Sequence, residues 1–114
     1  MKLYIAKDIK PEEIKKQFSA YYPYLRIELY KLLGNDIGKK EARAILHFAN
    51  LKQDGYINIG KLVTVSELEA QFAKLGLRAE VFRRCGNVWV ETSLTNNWTL
   101  EQQNTAAEEV SNHF

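Results

Sequence analysis

The chain matches itself. Residues 3–18 align over residues 57–72 at a shift of 54, and Ile5, Lys7, Glu13, Gln17 and Phe18 meet the same residue types at Ile59, Lys61, Glu67, Gln71 and Phe72. The apolar positions agree as well: Leu3 with Ile57, Ile9 with Val63, Ile14 with Leu68. After a connection two residues longer in the first copy, Leu25-Arg26-Ile27-Glu28-Leu29-Tyr30-Lys31 meets Leu77-Arg78-Ala79-Glu80-Val81-Phe82-Arg83 at a shift of 52. Both copies then read Gly-Asn, at Gly34-Asn35 and Gly86-Asn87. An internal repeat constrains the architecture before any local motif does, because the fold must accommodate the same unit twice.

Each copy reads as strand, helix, strand. Leu3 and Ile5 alternate with Tyr4 and Ala6, and Ile57 and Ile59 alternate with Tyr56 and Asn58, the pattern of half-buried strands. The first helix opens on Pro11, has Glu12 and Glu13 near the positive end of its dipole, and shows an apolar stripe of Ile14, Phe18 and Tyr21 before Pro23 closes it. In the second, Thr64 and Glu67 form a capping box and Val63 can staple onto Leu68. Its stripe is Leu68, Phe72 and Leu75, ended by Gly76.

Beyond the second copy, Cys85-Gly86-Asn87 is a turn, and residues 88–92 alternate as a hairpin partner strand. Thr99 with Gln102 is a second capping box, opening a surface helix over residues 100–110 whose apolar face, Leu100, Ala107 and Val110, is interrupted by Gln103. Between the copies, residues 34–40 read as a polar loop and residues 41–51 as a short helix, with Asp54-Gly55 as the turn into the second copy.

Two strand–helix–strand units, at about 2–31 and 56–83, resemble the ferredoxin-like sandwich. That resemblance implies an α+β fold with one antiparallel sheet, extended by the 88–92 strand, and the helices on one face. The whole chain, 1–114, is expected to be one domain. Over the last third, Gly86-Asn87-Val88-Trp89-Val90-Glu91-Thr92-Ser93 followed by Trp98-Thr99-Leu100 resembles the C-terminal signature of a family of small uncharacterised bacterial proteins. This implies a bacterial cytoplasmic origin and carries no chemistry across.

Composition narrows the classes of function. The 26% charged and 46% hydrophobic content is that of a globular chain rather than a disordered one, and 16 basic against 14 acidic residues lack the imbalance of a dedicated nucleic-acid or membrane-surface binder. A single cysteine fits a reducing compartment, and no apolar run reaches the roughly 20 residues of a membrane span. The N-terminus is broken by charge before a signal-peptide core can form, so the Asn97-Trp98-Thr99 sequon has no secretory context.

No catalytic or cofactor constellation stands out. His47, His113 and Cys85 are isolated in sequence, without metal-ligand spacing, and no metal or cofactor is expected. Arg83 and Arg84 beside Cys85 favour a thiolate, yet a cysteine at a hairpin turn is ordinarily incidental. Residues 34–40 superficially resemble a phosphate loop, one residue short between the glycines and with Lys40 where a Ser or Thr is required.

The informative constellation is the face of the sheet turned away from the helices. With Leu3, Ile5, Leu25, Ile27, Leu29, Ile57, Ile59, Leu77, Ala79 and Val81 pointing inward, alternation sends Tyr4, Tyr30, Tyr56 and Phe82 outward, with Arg26, Glu28, Arg78 and Glu80 and with Trp89 as a further member. So much aromatic surface calls for a cover. The leading expectation is a non-catalytic interaction module that pairs with a second copy through this face or the sheet edge, or with another protein, unless the segment between the repeats covers the face, with the Arg-x-Glu pairs making cross-strand or intersubunit ion pairs. A small-molecule pocket between the sheet and residues 33–55 is the alternative. RNA stacking on the aromatics comes last, because the RNA-recognition strand motif is absent and Glu28 and Glu80 would face phosphate.

Overall fold

The computed structural model describes residues 1–6, 8–31 and 54–112. The elements are β1 (Lys2–Ile5), α1 (Pro11–Tyr21), β2 (Leu25–Lys31), β3 (Gly55–Asn58), α2 (Val65–Lys74), β4 (Leu77–Cys85), β5 (Val88–Glu91) and α3 (Leu100–Ser111), with a 3-10 turn at Ser93–Thr95. The fold is α+β, and each matched segment forms a strand, a helix and a strand. The loop and helix expected over residues 34–51, with His47, lie outside the described residues, as does His113.

The expected single sheet is corrected. Among the described residues the strands form two antiparallel ladders, β1 with β3, and β2 with β4, which carries β5 on its other side. First strand pairs with first strand and second with second, so residues matched in the alignment meet: Leu3 faces Ile57, and Glu28 faces Glu80. Each helix ties the ladders together, α1 packing on β1 and β2 and α2 on β3 and β4. Alternate residues of both ladders turn into one core. All ten strand positions expected to point inward are buried there, with Phe18 and Phe72 fully enclosed. Full burial of such aromatic or branched side chains stabilises by about 1.5–3 kcal/mol each.

The α1 stripe is corrected at its last position. Tyr21 is 50% exposed, whereas Tyr22 is 3% exposed. The helix stops at Tyr21, and Tyr22 leaves helical geometry with φ −130° and ψ 81°. Its ring then lies against Phe18, 5.5 Å between centroids, and its hydroxyl donates to the Ile59 carbonyl at 2.5 Å. One residue of register therefore decides which tyrosine joins β3 to the core. Gly76, at φ +84°, ends the second unit's helix as expected, and Gly86, at φ +64°, makes the β4–β5 turn.

Both expected capping boxes are present, and they are clipped together. Thr64 and Glu67 exchange bonds at the start of α2, as Thr99 and Gln102 do at the start of α3. The remaining free N–H groups of each helix start are satisfied by the loop that precedes the other. Val65 and Ser66 donate to the carbonyls of Trp98 and Asn96, while Leu100 and Glu101 donate to those of Val63 and Lys61. Thr64 and Thr99 form the bridge between the two loops.

The apolar face expected of α3 is also corrected. Leu100, Gln103 and Ala107 are buried, while Val110 is exposed. Gln103 belongs to the buried face because its polar atoms are satisfied. Its amide donates to the Thr95 carbonyl at 2.8 Å and hydroxyl at 2.9 Å, and its oxygen accepts from Arg83 Nη1 at 2.9 Å. This knot fastens α3 to β4 and to the 3-10 turn. Thr92, expected inside the strand, lies just past β5, and its buried hydroxyl donates to the Val81 carbonyl at 2.8 Å.

Gln103→Leu strands the Thr95 carbonyl, leaves Arg83 only its longer bond to the Thr95 hydroxyl at 3.4 Å and costs about 1–3 kcal/mol, whereas Thr64→Ala and Thr99→Ala cost about 1 kcal/mol each; urea unfolding measures all three. Burial, reinforced by the Glu101 carboxylate, pushes the Tyr22 hydroxyl up to about 12 from its ordinary 10.0. The folded protein then holds that proton more tightly than the unfolded chain does, so stability is unaffected below pH 10 and falls as pH rises toward 12. Tyr22→Phe is expected to remove that part of the alkaline loss in thermal melts across this range.

Candidate interaction face

The outer face of the three-stranded sheet is built by alternation. Leu25, Ile27 and Leu29 of β2, and Leu77, Ala79 and Val81 of β4, are buried. Arg26, Glu28 and Tyr30 therefore share the other face with Arg78, Glu80 and Phe82. The antiparallel register sets Arg26 opposite Phe82, Glu28 opposite Glu80 and Tyr30 opposite Arg78.

Seven of the nine expected face residues come together here. The Arg26 guanidinium lies over two rings, 5.9 Å from the Phe82 centroid and 5.6 Å from that of Trp89 on β5. At the far end of the ladder, Arg78 lies 5.9 Å from the Tyr30 ring. Such contacts contribute about 0.5–1 kcal/mol each at exposed sites. Between the two arginine–aromatic clusters sit the carboxylates.

Tyr4 and Tyr56 do not join this face. They occupy the β1–β3 ladder, directly opposite one another with ring centroids 5.0 Å apart. Lys2 lies 5.8 Å from the Tyr56 ring, and the Tyr4 hydroxyl donates to Asp54 at 2.8 Å. That bond, to a carboxylate that prefers the protonated phenol, raises the Tyr4 hydroxyl above its ordinary value. The single expected aromatic face is thus two patches, because the strands divide into two ladders.

The ion pairs also differ from the expected cross-strand arrangement. Each Arg-x-Glu pair closes along its own strand, Arg26 Nε to Glu28 Oε2 at 2.9 Å and Arg78 Nη2 to Glu80 Oε2 at 3.1 Å. Across the ladder, glutamate faces glutamate, because equivalent positions meet. Like charges placed directly opposite destabilise a sheet, so this juxtaposition needs compensating cations. Arg26 and Arg78 supply two, and Lys15 of α1 supplies a third, Nζ to Glu28 Oε1 at 3.1 Å.

Glu69 carries a role that the sequence pattern did not single out. It aligns with Lys15 at the shift of 54, so the helix position that brings a cation to the first matched segment brings a carboxylate to the second. Partial burial raises the Glu69 carboxyl above the usual range, the Glu80 charge adds to the rise, and Arg78 opposes it. The charge reversal in the alignment was a legible signal of this asymmetry. Arg83, singled out in sequence only for its place beside Cys85, instead bonds Gln103, and its guanidinium lies 5.3 Å from the Trp98 ring. Cys85 is half-buried at the end of β4, and the neighbouring Arg84 spends its Nε proton on the Gly86 carbonyl at 2.8 Å.

With its carboxyl raised, Glu69 binds a proton more tightly in the folded than in the unfolded chain, so ionising it as pH rises through and above the ordinary carboxylate range lowers stability. Glu69→Gln is expected to raise the melting temperature at pH 7 and to lose that advantage as the pH falls below the ordinary glutamate range. Melts of both proteins across the acid range check the sign.

No family model matches this chain, and no match was found among the curated proteins or the solved structures.

Proposed function

We propose that the chain is a non-catalytic protein-interaction module that pairs with a second copy of itself through the outer face of the three-stranded sheet. The observation that carries this reading is the cluster of Arg26 over Phe82 and Trp89, which lies on the face opposite the buried core rows and beside the edge strand β5. Arginine and aromatic side chains together are the residues that most often anchor protein interfaces. The charge pattern suits a twin as partner. Positive and negative groups are interleaved on one surface, so a two-fold operation can set cations against carboxylates without a partner of opposite net charge.

The two strand–helix–strand units are, on this reading, an internal repeat of ferredoxin-like type. Support comes from the matched residues and from the meeting of equivalent positions in both ladders. A bacterial cytoplasmic setting is part of this reading, supported by the likeness of residues 86–93 and 98–100 to the signature of small bacterial proteins and by the single cysteine.

Sedimentation velocity at tens of micromolar protein tests the proposal. A dimer is expected for the native sequence and a folded monomer for Phe82→Glu, with Trp89→Ala weakening association at least tenfold. A native chain that sediments as a monomer would overturn it. Salt-sensitive oligonucleotide binding lost in Tyr30→Ala, without self-association, would instead favour the RNA alternative.

A further inference from the structure

The three-stranded sheet and α3 come to an end together. Tyr24 before β2, Arg84, Gly86 and Asn87 around the β4–β5 turn, and Ser111 and Asn112 at the close of α3 line a cleft of about 570 Å³. That is within the roughly 300–1,000 Å³ of small-molecule sites. Bonds to the main chain fix its frame. The Tyr24 N–H donates to Asn104 Oδ1 of α3 at 2.9 Å, the Tyr24 carbonyl accepts from the Arg84 N–H at 3.0 Å, and the Asn112 N–H donates to the carbonyls of Glu108 and Val110. None of the six lining residues belongs to the aromatic face, and Arg84 borders it, opposite Trp89.

Arg84 is the only charged residue among those six. Arg26 and Arg78 close on glutamates and Arg83 on the Gln103 amide oxygen, whereas Arg84 meets no carboxylate among the described residues. Its Nε proton goes to the Gly86 carbonyl at 2.8 Å, which holds the side chain against the turn and leaves the terminal N–H groups uncommitted among the described residues. A guanidinium held in this way offers a fork of parallel N–H donors to an oxyanion. Ser111 adds an independent sign. Its Oγ is the one buried side-chain polar atom without a hydrogen-bond partner among the described residues, and a buried polar group left so points to an ion or water that completes it. The end of α3 opposes an anion with roughly half a negative charge, against which Arg84 brings a full positive one.

We infer that this cleft binds a small molecule through a carboxylate or phosphate group. The oxyanion lies in the Arg84 fork, with the Asn87 amide beside it and the Ser111 hydroxyl gaining the partner it lacks. Because Arg84 is already fastened to the Gly86 carbonyl, little side-chain freedom is lost when the anion arrives. The Tyr24 phenol and the Asn112 amide line the rest of the cleft and suit a ligand that is polar beyond its anionic group. The site goes beyond self-association through the aromatic face and does not rest on it.

Proton–nitrogen NMR titrations of the full chain with sodium phosphate and, separately, sodium acetate, at an ionic strength held constant with sodium chloride, test the site. Saturable shifts are expected at the Arg84 Nε–H and at the Gly86, Asn87 and Asn112 amides for at least one of the two anions, and the tighter of the two gives the group the ligand carries. Arg84→Gln is expected to weaken that binding at least tenfold and Ser111→Ala at least threefold, while Arg26→Gln, on the aromatic face, leaves it unchanged. Amide spectra as dispersed as the native one confirm that each variant is folded. The inference is overturned if neither anion gives saturable shifts at these groups beyond those of chloride, if Arg84→Gln or Ser111→Ala binds as tightly as the native chain, or if Arg26→Gln weakens binding as much as Arg84→Gln.

Discussion

The seven-residue ladder between β2 and β4 is the constraint on which the rest of the structure depends. It joins the second strand of each unit to the other's, and its register sets equivalent positions opposite one another. Three consequences come from that one pairing. Leucine, isoleucine, alanine and valine rows close on the core, arginines fall beside aromatics on the outer face, and Glu28 meets Glu80. The first two are favourable and the third is a cost, offset by Lys15, Arg26 and Arg78.

Around this ladder, polar groups rather than apolar area decide which loops are held. The starts of α2 and α3 exchange backbone bonds, so neither cap is independent of the other. Gln103, Arg83 and Thr95 hold the 3-10 turn against β4, and Thr92 caps the strand edge where β5 ends. Unsatisfied, each of these buried groups would cost more than its bond contributes, which makes their arrangement specific.

Much of this was legible in the chain. The alternation of Leu3, Ile5, Ile57 and Ile59, the capping boxes at Thr64 and Thr99, and the turns at Gly76 and Gly86 rest on local geometry, and local geometry leaves residue-level patterns. The inward rows of β1 to β4 were readable for the same reason. Tyr22 was not, because a single residue beyond the helix end escapes the helical period that pointed to Tyr21. Gln103 read as a break in an apolar face, since nothing in sequence announces that Thr95 and Arg83 wait to satisfy it.

The amino-acid sequence by itself determined the two strand–helix–strand units, their inward and outward faces, the helix starts and the hairpin, because each follows from neighbours a few residues apart. Only the tertiary structure decided that the strands divide into two ladders, that the outward aromatics split into two patches, and that the carboxylates of Glu28 and Glu80 face each other. Strands are joined by backbone groups, and those are the same in every residue but proline. Which strand answers which is therefore written in the packing of the whole and not in any one segment.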